Sequence, residues 1–438
     1  VHILAIVMPT VYQVARISHN VILRMVRRRM IIVNPNHRNP SPHSAIEAPI
    51  WCAYLARKHC ASILDAELEG LTVDETLERI GREPCILVAM GANPSASSTS
   101  KMGVINKLAK NLHFYHIAGL HPQSFHRNRR VRRLPWAEQL CGLTPAWDKI
   151  DFSKYKAHNW QCLDGSDPGN YGVIYTSFGC PFNCLHCNIH TLYKGVTYRD
   201  TQDVGKEIDY LVSRGVKNLK IADELFTLKP SHVYEICDVL EGKGLNVWAY
   251  AKAGLVKPEM LKRMKEVGIN WLAYGFESAN EGVLTKLGKK QSTEDMMRAT
   301  EMTKEAGISV LGNFIFGLPD DDLKTMRETL DFAKELQCEY VNFYCAMAYP
   351  GSQLYKDTPK EDLPDKWEDY DQYSPNLKPL PTKYLTSQEV LEFRDKAFQE
   401  YFFKEDYIKM IGQKFGGQGV EQIRQMREWS PRGNDVTS

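Results

Sequence analysis

Tyr171-Gly-Val-Ile-Tyr-Thr-Ser-Phe-Gly-Cys180-Pro-Phe-Asn-Cys184-Leu-His-Cys187 is the stretch on which the fold of this chain turns. An apolar run of strand character ends at Gly179, and three thiols follow with three and two residues between them. Three thiolates on one short loop can hold three corners of a cubane iron–sulfur cluster, whose full protein set is four cysteines. The fourth iron is then left to a ligand that is not protein. An open metal position marks a catalytic centre, by the logic that separates open from closed zinc sites. A Cys-x-x-Cys is also half of a zinc site or a redox pair. Zinc would need a second ligand pair, and none of the other eight cysteines (52, 60, 85, 141, 162, 237, 338, 345) pairs at such a spacing.

Downstream, the chain repeats strand then helix. The expected strands are Tyr171–Phe178, Leu219–Ala222, Asn246–Ala251, Trp271–Phe276, Ser309–Phe316 and Tyr340–Met347. Between them lie helical stretches at Asp203–Arg214, Ser231–Glu241, Pro258–Val267 and Thr293–Ala306, and from Asp320–Asp322 to Leu336. Pro258 suits a first helical turn, and the acids at 320–322 suit a helix N-terminus. Six such units make a partial (β/α)6 barrel, open on one side, with its chemistry at the carboxyl ends of the strands. Those ends carry Asp223-Glu224, Lys252, Glu277-Ser278 and Gly317.

Cys-x3-Cys-x2-Cys after a strand, at the head of such a repeat, resembles the signature of the radical S-adenosylmethionine (SAM) enzymes. The resemblance implies a [4Fe-4S] cluster held by Cys180, Cys184 and Cys187, with the amino and carboxylate groups of SAM on the open iron. An electron from the cluster splits the sulfonium and yields a 5′-deoxyadenosyl radical. The protein binds and orients while cofactor and cluster carry the hard chemistry. By the same resemblance Phe182 and His186 flank the adenine, His186 standing where the family usually has an aromatic. Glu277 binds the ribose hydroxyls or the amino group of SAM, Ser278 supports it, and Gly317 lets the backbone approach the adenine. Asp223 and Glu224 face SAM or substrate, or form a solvated capping pair. Lys252 binds the SAM carboxylate, or is a surface lysine.

Upstream, short apolar runs at Met30–Asn34, Ala61–Asp65, Cys85–Met90 and His113–Ala118 alternate with helical stretches at Ala45–His59, Val73–Ile80 and Lys101–Asn111. That alternation indicates a doubly wound parallel sheet, whose ligands sit beyond the carboxyl ends of its strands. Two polar loops fall there, 34–43 and 91–100. The second, with Ser95, Ser97 and Ser98, offers hydroxyls and N–H groups at a helix start, suited to a phosphate or nucleotide tail or to an ordinary N-cap.

A doubly wound domain ahead of a radical SAM core resembles the cobalamin-binding domain of cobalamin-dependent radical SAM enzymes. Ala48–Ala56 resembles that family's first helix, and Ile117-Ala-Gly119-Leu-His121-Pro122 its fourth strand and following turn. The resemblance implies cobalamin, with Ser95, Ser97, Ser98, Gly119 and His121 lining its site. Two departures stand out. No Asp-x-His-x-x-Gly, the motif that supplies a cobalt ligand in mutases and methionine synthase, follows the first strand. His37 and His43 lie in the region without its flanking residues, so cobalamin is expected to bind without a histidine of that motif. After His121 a helix, a fifth strand and a further helix are missing, and a basic run, Ser124–Arg133, stands in their place. The domain reads as shortened, which buries less core and exposes an edge.

The fold class is therefore α/β: a shortened, Rossmann-like cobalamin-binding domain over 30–135, a linker over 136–169, a radical SAM core over 170–358, and a C-terminal helical region over 359–438. Residues 1–29, apolar and then arginine-rich, read as an upstream or mis-called extension rather than a basic amphipathic helix. The aromatic linker is expected to cover an interface. A helix from Ser387 to about Ile411, opened by a Thr386/Glu389 capping box, closes the open side of the barrel; beyond Gly416 the tail reads as loose.

Of 438 residues, 43% are hydrophobic and 25% charged, ordinary for a globular protein. A net charge of +2 gives no field for nucleic acid. Eleven cysteines without framework spacing point to a reducing, cytoplasmic compartment. No apolar run is long enough to span a bilayer.

The function expected from the resemblance is methylation of an unactivated carbon, or phosphorus, of a small molecule or lipid, with an electron donor such as flavodoxin or ferredoxin. A C–H bond without acidity cannot be deprotonated by side chains, so radical abstraction replaces general-base catalysis. The alternatives are a cobalamin-independent radical oxidation, cyclisation or rearrangement, and a SAM or cobalamin sensor without catalysis.

Overall fold

The computed structural model describes residues 30–37, 43–90, 98–124, 137–372 and 374–427. The extension 1–29 and the basic run from residue 125 to 133 lie outside them. Strands β1 (Ile31–Asn34), β2 (Ser62–Asp65), β3 (Cys85–Val88) and β4 (Tyr115–Ala118) form a parallel sheet in the order β2-β1-β3-β4. Helices α1 (Ile50–His59), α2 (Val73–Ile80) and α3 (Ser98–Asn111) connect them.

α2 starts where the sequence dictates, at a Thr72/Glu75 capping box. α1 starts five residues later than expected. Pro49 disfavours helical backbone in the residue before it, and Ile46 instead pairs with Lys156 of the linker. α1 is buried from Ile50 through Ala56 without a polar face, the mark of a helix covered on all sides. Its Trp51 and Tyr54 rings pack edge-on against Tyr175 and Phe178, the latter two residues before Cys180. The first sheet is thus fixed to the thiol loop by aromatic packing.

Among the described residues β4 is followed by the short helix α4 (Leu120–Ser124) and then by α5 (Ala137–Cys141). The linker covers an interface, as its aromatics imply. Trp147 Nε1 donates to Glu207 Oε1 at 2.7 Å, and Tyr155 Oη donates to Asp65 Oδ2 at 2.8 Å. The two contacts tie it to the second sheet's helices and to the first sheet.

The second sheet holds six parallel strands in sequential order, β5 (Tyr171–Ile174), β8 (Asn218–Ile221), β9 (Asn246–Ala251), β10 (Ile269–Glu277), β11 (Ser309–Phe316) and β12 (Tyr340–Cys345). The expected first strand is interrupted at Tyr175–Thr176, because Thr176 N donates to the Asp223 carboxylate rather than to a ladder partner. A small hairpin, β6 (Ser177–Phe178) with β7 (Thr197–Tyr198), follows. The crossover helices are α6 (Thr201–Ser213), α7 (Pro230–Leu240), α8 (Pro258–Glu266), α9 (Glu281–Lys286) with α10 (Thr293–Glu305), and α11 (Leu323–Leu336). Ser292 and Asp322 cap α10 and α11 with reciprocal bonds.

Successive strand residues face opposite ways, and burial shows which way is which. In β12, Val341, Phe343 and Cys345 are buried under helices, whereas Tyr340, Asn342 and Tyr344 face the bore and are only partly covered. Asn313 and Ile315 of β11 behave alike. A closed barrel of this type fills its bore with side chains; this open one keeps a hollow.

Past α12 (Gln353–Asp357), helix α13 (Ser387–Phe402) packs against β11 and β12, with Phe393 against Phe316 and Tyr401 against Phe343, rather than across the open side as expected. Its Tyr401 hydroxyl donates to the Cys338 carbonyl at 2.7 Å. The helix expected to reach about Ile411 ends at Phe402, and after Phe403–Lys404 α14 (Glu405–Arg427) follows, kinked at Gly416. The expectation of a loose tail past Gly416 is corrected as far as Arg427. Gly416 redirects the helix, so that Ile423 and Met426 return to the core. Among the described residues no helix is long and apolar enough to cross a membrane.

Candidate functional site

A cavity of about 1770 Å³ lies between the carboxyl edges of the two sheets. A pocket for one small ligand measures about 300–1,000 Å³, so this one has room for several groups. The first sheet contributes Asn34, His37, Glu67, Met90 and Lys101 to its wall; the barrel contributes Cys180, Cys184, Cys187, Glu224, Glu277 and Lys289, and below them the bore.

The three thiols are half-buried and free of disulfides. Gly179 turns the chain into their loop at φ 91°, where a Cβ would collide with the Gly195 carbonyl oxygen. No other residue fits there. The loop is pinned at three further points. Leu185 N donates to Leu287 O at 3.0 Å, Leu354 N to Leu185 O at 2.9 Å, and His190 Nε2 to Phe182 O at 2.8 Å. Among the described residues no three His, Cys, Asp or Glu side chains converge on a single ion. A cubane asks for something else, since each thiolate takes its own iron corner. Burial raises all three thiols, Cys187 to about 12; a bound cation reverses that and removes the proton outright.

Asp223 and Glu224 do different work. Asp223 is fully buried and accepts from Thr176 N at 2.6 Å, Thr176 Oγ1 at 2.5 Å and Ser177 Oγ at 2.7 Å. It clamps the backbone leading to the thiol loop and does not reach the cavity. Since the Thr176 hydroxyl donates to Asp223, it accepts from His232 Nε2, 2.9 Å away. Burial holds that imidazole down at about 4, so it is neutral. Glu224 uses one oxygen to accept from Gly179 N at 2.7 Å, while its Oε1 is buried at the cavity without a partner. Burial, reinforced by Asp223, pushes this carboxyl up to about 8.

Glu277 ends β10 at φ 65°, a left-handed conformation that costs a non-glycine residue about 1–3 kcal/mol. Its carboxylate pairs with Lys289 Nζ at 2.5 Å, and the same ammonium donates to Gly275 O at 2.5 Å. Gln291 Nε2 supports the strand end from below, donating to Phe276 O at 2.8 Å. Lys289 and Gln291 escape sequence reasoning because a helix and a turn separate them from Glu277. His186 is beside this pair, its ring held neutral by burial and its Nδ1 without a partner. Phe182 is 36% exposed, with Lys252 Nζ 5.5 Å above its ring. Lys252 also donates to the Lys290 carbonyl at 3.0 Å.

Two residues expected at the SAM site, Ser278 in support of Glu277 and Gly317 at the adenine, do not border the cavity. Ser278 is buried, with its Oγ accepting from Asn280 N at 3.1 Å and lying 3.2 Å from Thr329 Oγ1, so it braces the turn after β10. Gly317 has φ 78°, and a Cβ there would overlap Val390 of α13. Its lack of a side chain serves the approach of that helix.

On the first sheet, Ser95 and Ser97 lie outside the described residues, as does the side chain of Ser98 at the start of α3. Gly119 and His121 are placed away from the cavity. A Cβ on Gly119 would sit 2.7 Å from the Ala89 carbonyl oxygen, so the glycine allows β4 to end close against β3. His121 is fully buried among aromatics, 5.5 Å from Trp367 and 6.0 Å from Tyr349. The cavity edge carries a polar network instead. Lys101, 2% exposed, donates to Asn34 Oδ1 at 2.8 Å, Glu67 Oε2 at 2.8 Å and Pro35 O at 3.3 Å. Asn34 Nδ2 donates to Asp65 Oδ1 at 2.8 Å. Burial opposes ionisation of Glu67, but the Lys101 charge overcomes it and the carboxyl lies below its ordinary value.

Residues 174–333 match the family model of the Radical SAM superfamily. An uncharacterized methyltransferase of Pyrococcus horikoshii is 28% identical over 312 residues, covering 69% of this chain and 64% of that protein. An anaerobic magnesium-protoporphyrin IX monomethyl ester cyclase of Cereibacter sphaeroides is 26% identical over 446 residues, covering 86% of this chain and 70% of that protein. The chain thus spans less than two thirds of the first of these relatives. Among solved structures, the radical S-adenosylmethionine methyltransferase TsrM from Kitasatospora setae, with cobalamin and a [4Fe-4S] cluster bound, superposes with a TM-score of 0.62 over 92% of this chain and 99% of that one. At 14% identity this is a likeness of fold.

Proposed function

We propose that this chain, a radical SAM protein through residues 174–333, is a cobalamin-dependent methyltransferase acting on an unactivated carbon, or phosphorus, of a small molecule or lipid. The single observation that carries the reading is the cavity, which is walled by the thiol loop and by the carboxyl edges of both sheets. In this reading residues 30–135 are the cobalamin domain and 170–358 the radical SAM core. An electron donor such as flavodoxin or ferredoxin serves it in the cytoplasm.

The residues present fit the cluster and SAM. Cys180, Cys184 and Cys187 would hold the cluster. The Glu277–Lys289 pair offers an anion for the ammonium or ribose of SAM and a cation for its carboxylate. The buried, unpartnered Glu224 Oε1 and His186 Nδ1 are polar atoms that call for a ligand, since such groups are costly when left unmade. Phe182 and His186 would flank the adenine. When bound, cluster, SAM and cobalamin supply the electron, the hydrogen-abstracting radical and the methyl group. The chain fixes geometry. Gly179 and Asp223 set the loop, Lys289 holds Glu277 in its strained turn, and the hollow bore admits the substrate.

The test is anaerobic reconstitution with cluster and hydroxocobalamin, desalting, and turnover with SAM carrying a deuterated methyl group. Retained corrin absorbance and a deuterated methyl in the product are expected. SAM cleavage by protein that desalts free of corrin would overturn the reading. The second reading is a radical cyclisation, favoured by the cyclase relative that covers 86% of this chain; its product would carry no deuterium.

A further inference from the structure

We propose that the substrate is a flat, unsaturated molecule with a neutral carbonyl group, seated in the bore with its rings against Trp160 and Trp248 and its carbonyl oxygen on Lys220. The proposal rests on the reading of the bore as the substrate site and narrows the class of molecule that it takes.

Lys220 of β8 and Trp248 of β9 are register partners, and both border the cavity. Trp160, from the linker, meets Trp248 edge-on at 5.3 Å, and His158 stacks on Trp160 at 5.2 Å. Tyr250, two residues above Trp248 on the same face of β9, packs edge-on against it at 5.1 Å. These three rings line the cavity as well. Trp271, in contact with Trp160, does not; it is stacked on Phe415 of α14 at 6.0 Å. The others therefore form a wall and not a filled core. Next to Tyr250, β10 presents the small residues Ala273 and Gly275 to the cavity, which leaves room for a ring beside it. At the amino ends of the same strands Asn246 Nδ2 donates to Asn218 Oδ1 and Asn270 Nδ2 to Asn246 Oδ1, both at 3.0 Å. None of these three amides borders the cavity, so the bore ends above them. Aromatic walls gain from an unsaturated ring through offset stacking or edge-on contact, whereas an aliphatic chain gives them its buried area alone.

Lys220 is 2% exposed, and an ammonium carries three donors. One goes to Glu47 Oε1 at 2.6 Å, and the charge lies 5.0 Å over the Trp248 ring. Among the described residues no other group accepts from it. A buried donor left without an acceptor is costly, so an oxygen of the bound molecule belongs there. Glu47 also decides the kind of oxygen. It already balances the lysine charge, and a carboxylate or phosphate in the same place would be repelled by the Glu47 carboxylate. A neutral carbonyl takes the hydrogen bond without that repulsion. The strand sets the length. Lys252, whose ammonium lies over the Phe182 ring of the thiol loop, is four residues past Trp248, about 13 Å at about 3.3 Å per residue. A molecule anchored on Lys220 and reacting at the level of the thiol loop spans about that distance, which asks for a fused or conjugated ring system and not a single ring.

The experiment is equilibrium dialysis of three probes against the full chain loaded with cluster and hydroxocobalamin: 2-acetylnaphthalene, the isosteric hydrocarbon 2-isopropenylnaphthalene, and 2-naphthoate. The ketone is expected to bind at least about tenfold more tightly than the other two, the worth of one hydrogen bond from a charged donor. Lys220→Met should remove the ketone's advantage and leave the Kd of the hydrocarbon unchanged. Kd values for ketone and hydrocarbon within about threefold of each other in the wild-type protein overturn the proposal, a result that needs no variant to fold. An advantage that persists in Lys220→Met puts the carbonyl elsewhere and overturns it, as does a failure of all three probes to bind. Tighter binding of 2-naphthoate overturns the assignment of a neutral group. Protein that desalts free of corrin sinks the cobalamin reading alone, since the probes are then dialysed against the cluster-loaded chain; corrin retained with no preference for the ketone sinks this inference alone.

Discussion

Lys289→Met tests whether the strained strand end at Glu277 is the SAM anchor. The ammonium makes two bonds of 2.5 Å, to the Glu277 carboxylate and to the Gly275 carbonyl. Gly275 O keeps a second donor in Gln291 Nε2 at 3.2 Å; the Glu277 carboxylate loses its ion partner. Removing one member of a buried pair costs about 3–5 kcal/mol, because the other charge is left uncompensated. Both side chains are about one-tenth exposed and face a roomy cavity, which places the cost at the lower end. Glu277 also sits at φ 65°, so once released it has about 1–3 kcal/mol to gain by leaving that conformation. A loss of about 3 kcal/mol in the SAM-competent arrangement is about a hundredfold in Kd, at 1.4 kcal/mol per tenfold. Equilibrium dialysis of SAM against cluster-reconstituted protein reads this directly. The iron content and the cluster absorbance should stay at the wild-type level, since Lys289 does not hold the thiol loop. A Kd within threefold of wild type would refute the assignment of the Glu277–Lys289 pair to SAM.

Three further outcomes follow from the same geometry. Gly179→Ala puts a Cβ into the Gly195 carbonyl and onto a φ of 91°, so the protein should fold yet reconstitute with iron near background; wild-type iron content would show that the loop tolerates the clash. Arg199→Met leaves Glu207 buried without its 2.6 Å partner, and urea unfolding should show a loss of about 3–5 kcal/mol; a loss under 1 kcal/mol would mean that the site relaxes or takes up water. His232, whose folded value is held at about 4 by burial, binds a proton in the unfolded chain but not in the folded one between about pH 6.5 and 4, so stability is lost as pH falls through that window, by about 3 kcal/mol in all. His232→Gln should flatten that slope, and an unchanged pH profile of urea midpoints would remove His232 from the account.

What the sequence made legible was what depends on neighbours along the chain. The thiol spacing, the apolar runs of β9 and β11 and the capping box at Thr386 are local, and the structure holds them where they were read. Residues whose task is set by distant partners were harder to read. Asp223 and Ser278 are polar residues at strand ends, where a ligand-facing role is the natural reading, yet each is used by backbone or hydroxyl groups of other segments. Lys101, near the start of α3, has the look of a surface lysine, and only the fold brings Asn34 and Glu67 to it. The bore shows the same limit at the scale of a strand. Tyr340-Val-Asn-Phe-Tyr-Cys345 alternates, so its two faces can be told apart from the sequence. A partly polar face ordinarily means solvent, and here it means the wall of a cavity, while the alternate face is covered by α13, which begins more than forty residues after β12 ends. The cavity wall is therefore a product of strand alternation, and it comes into view only when the helix covering the other face is considered together with it.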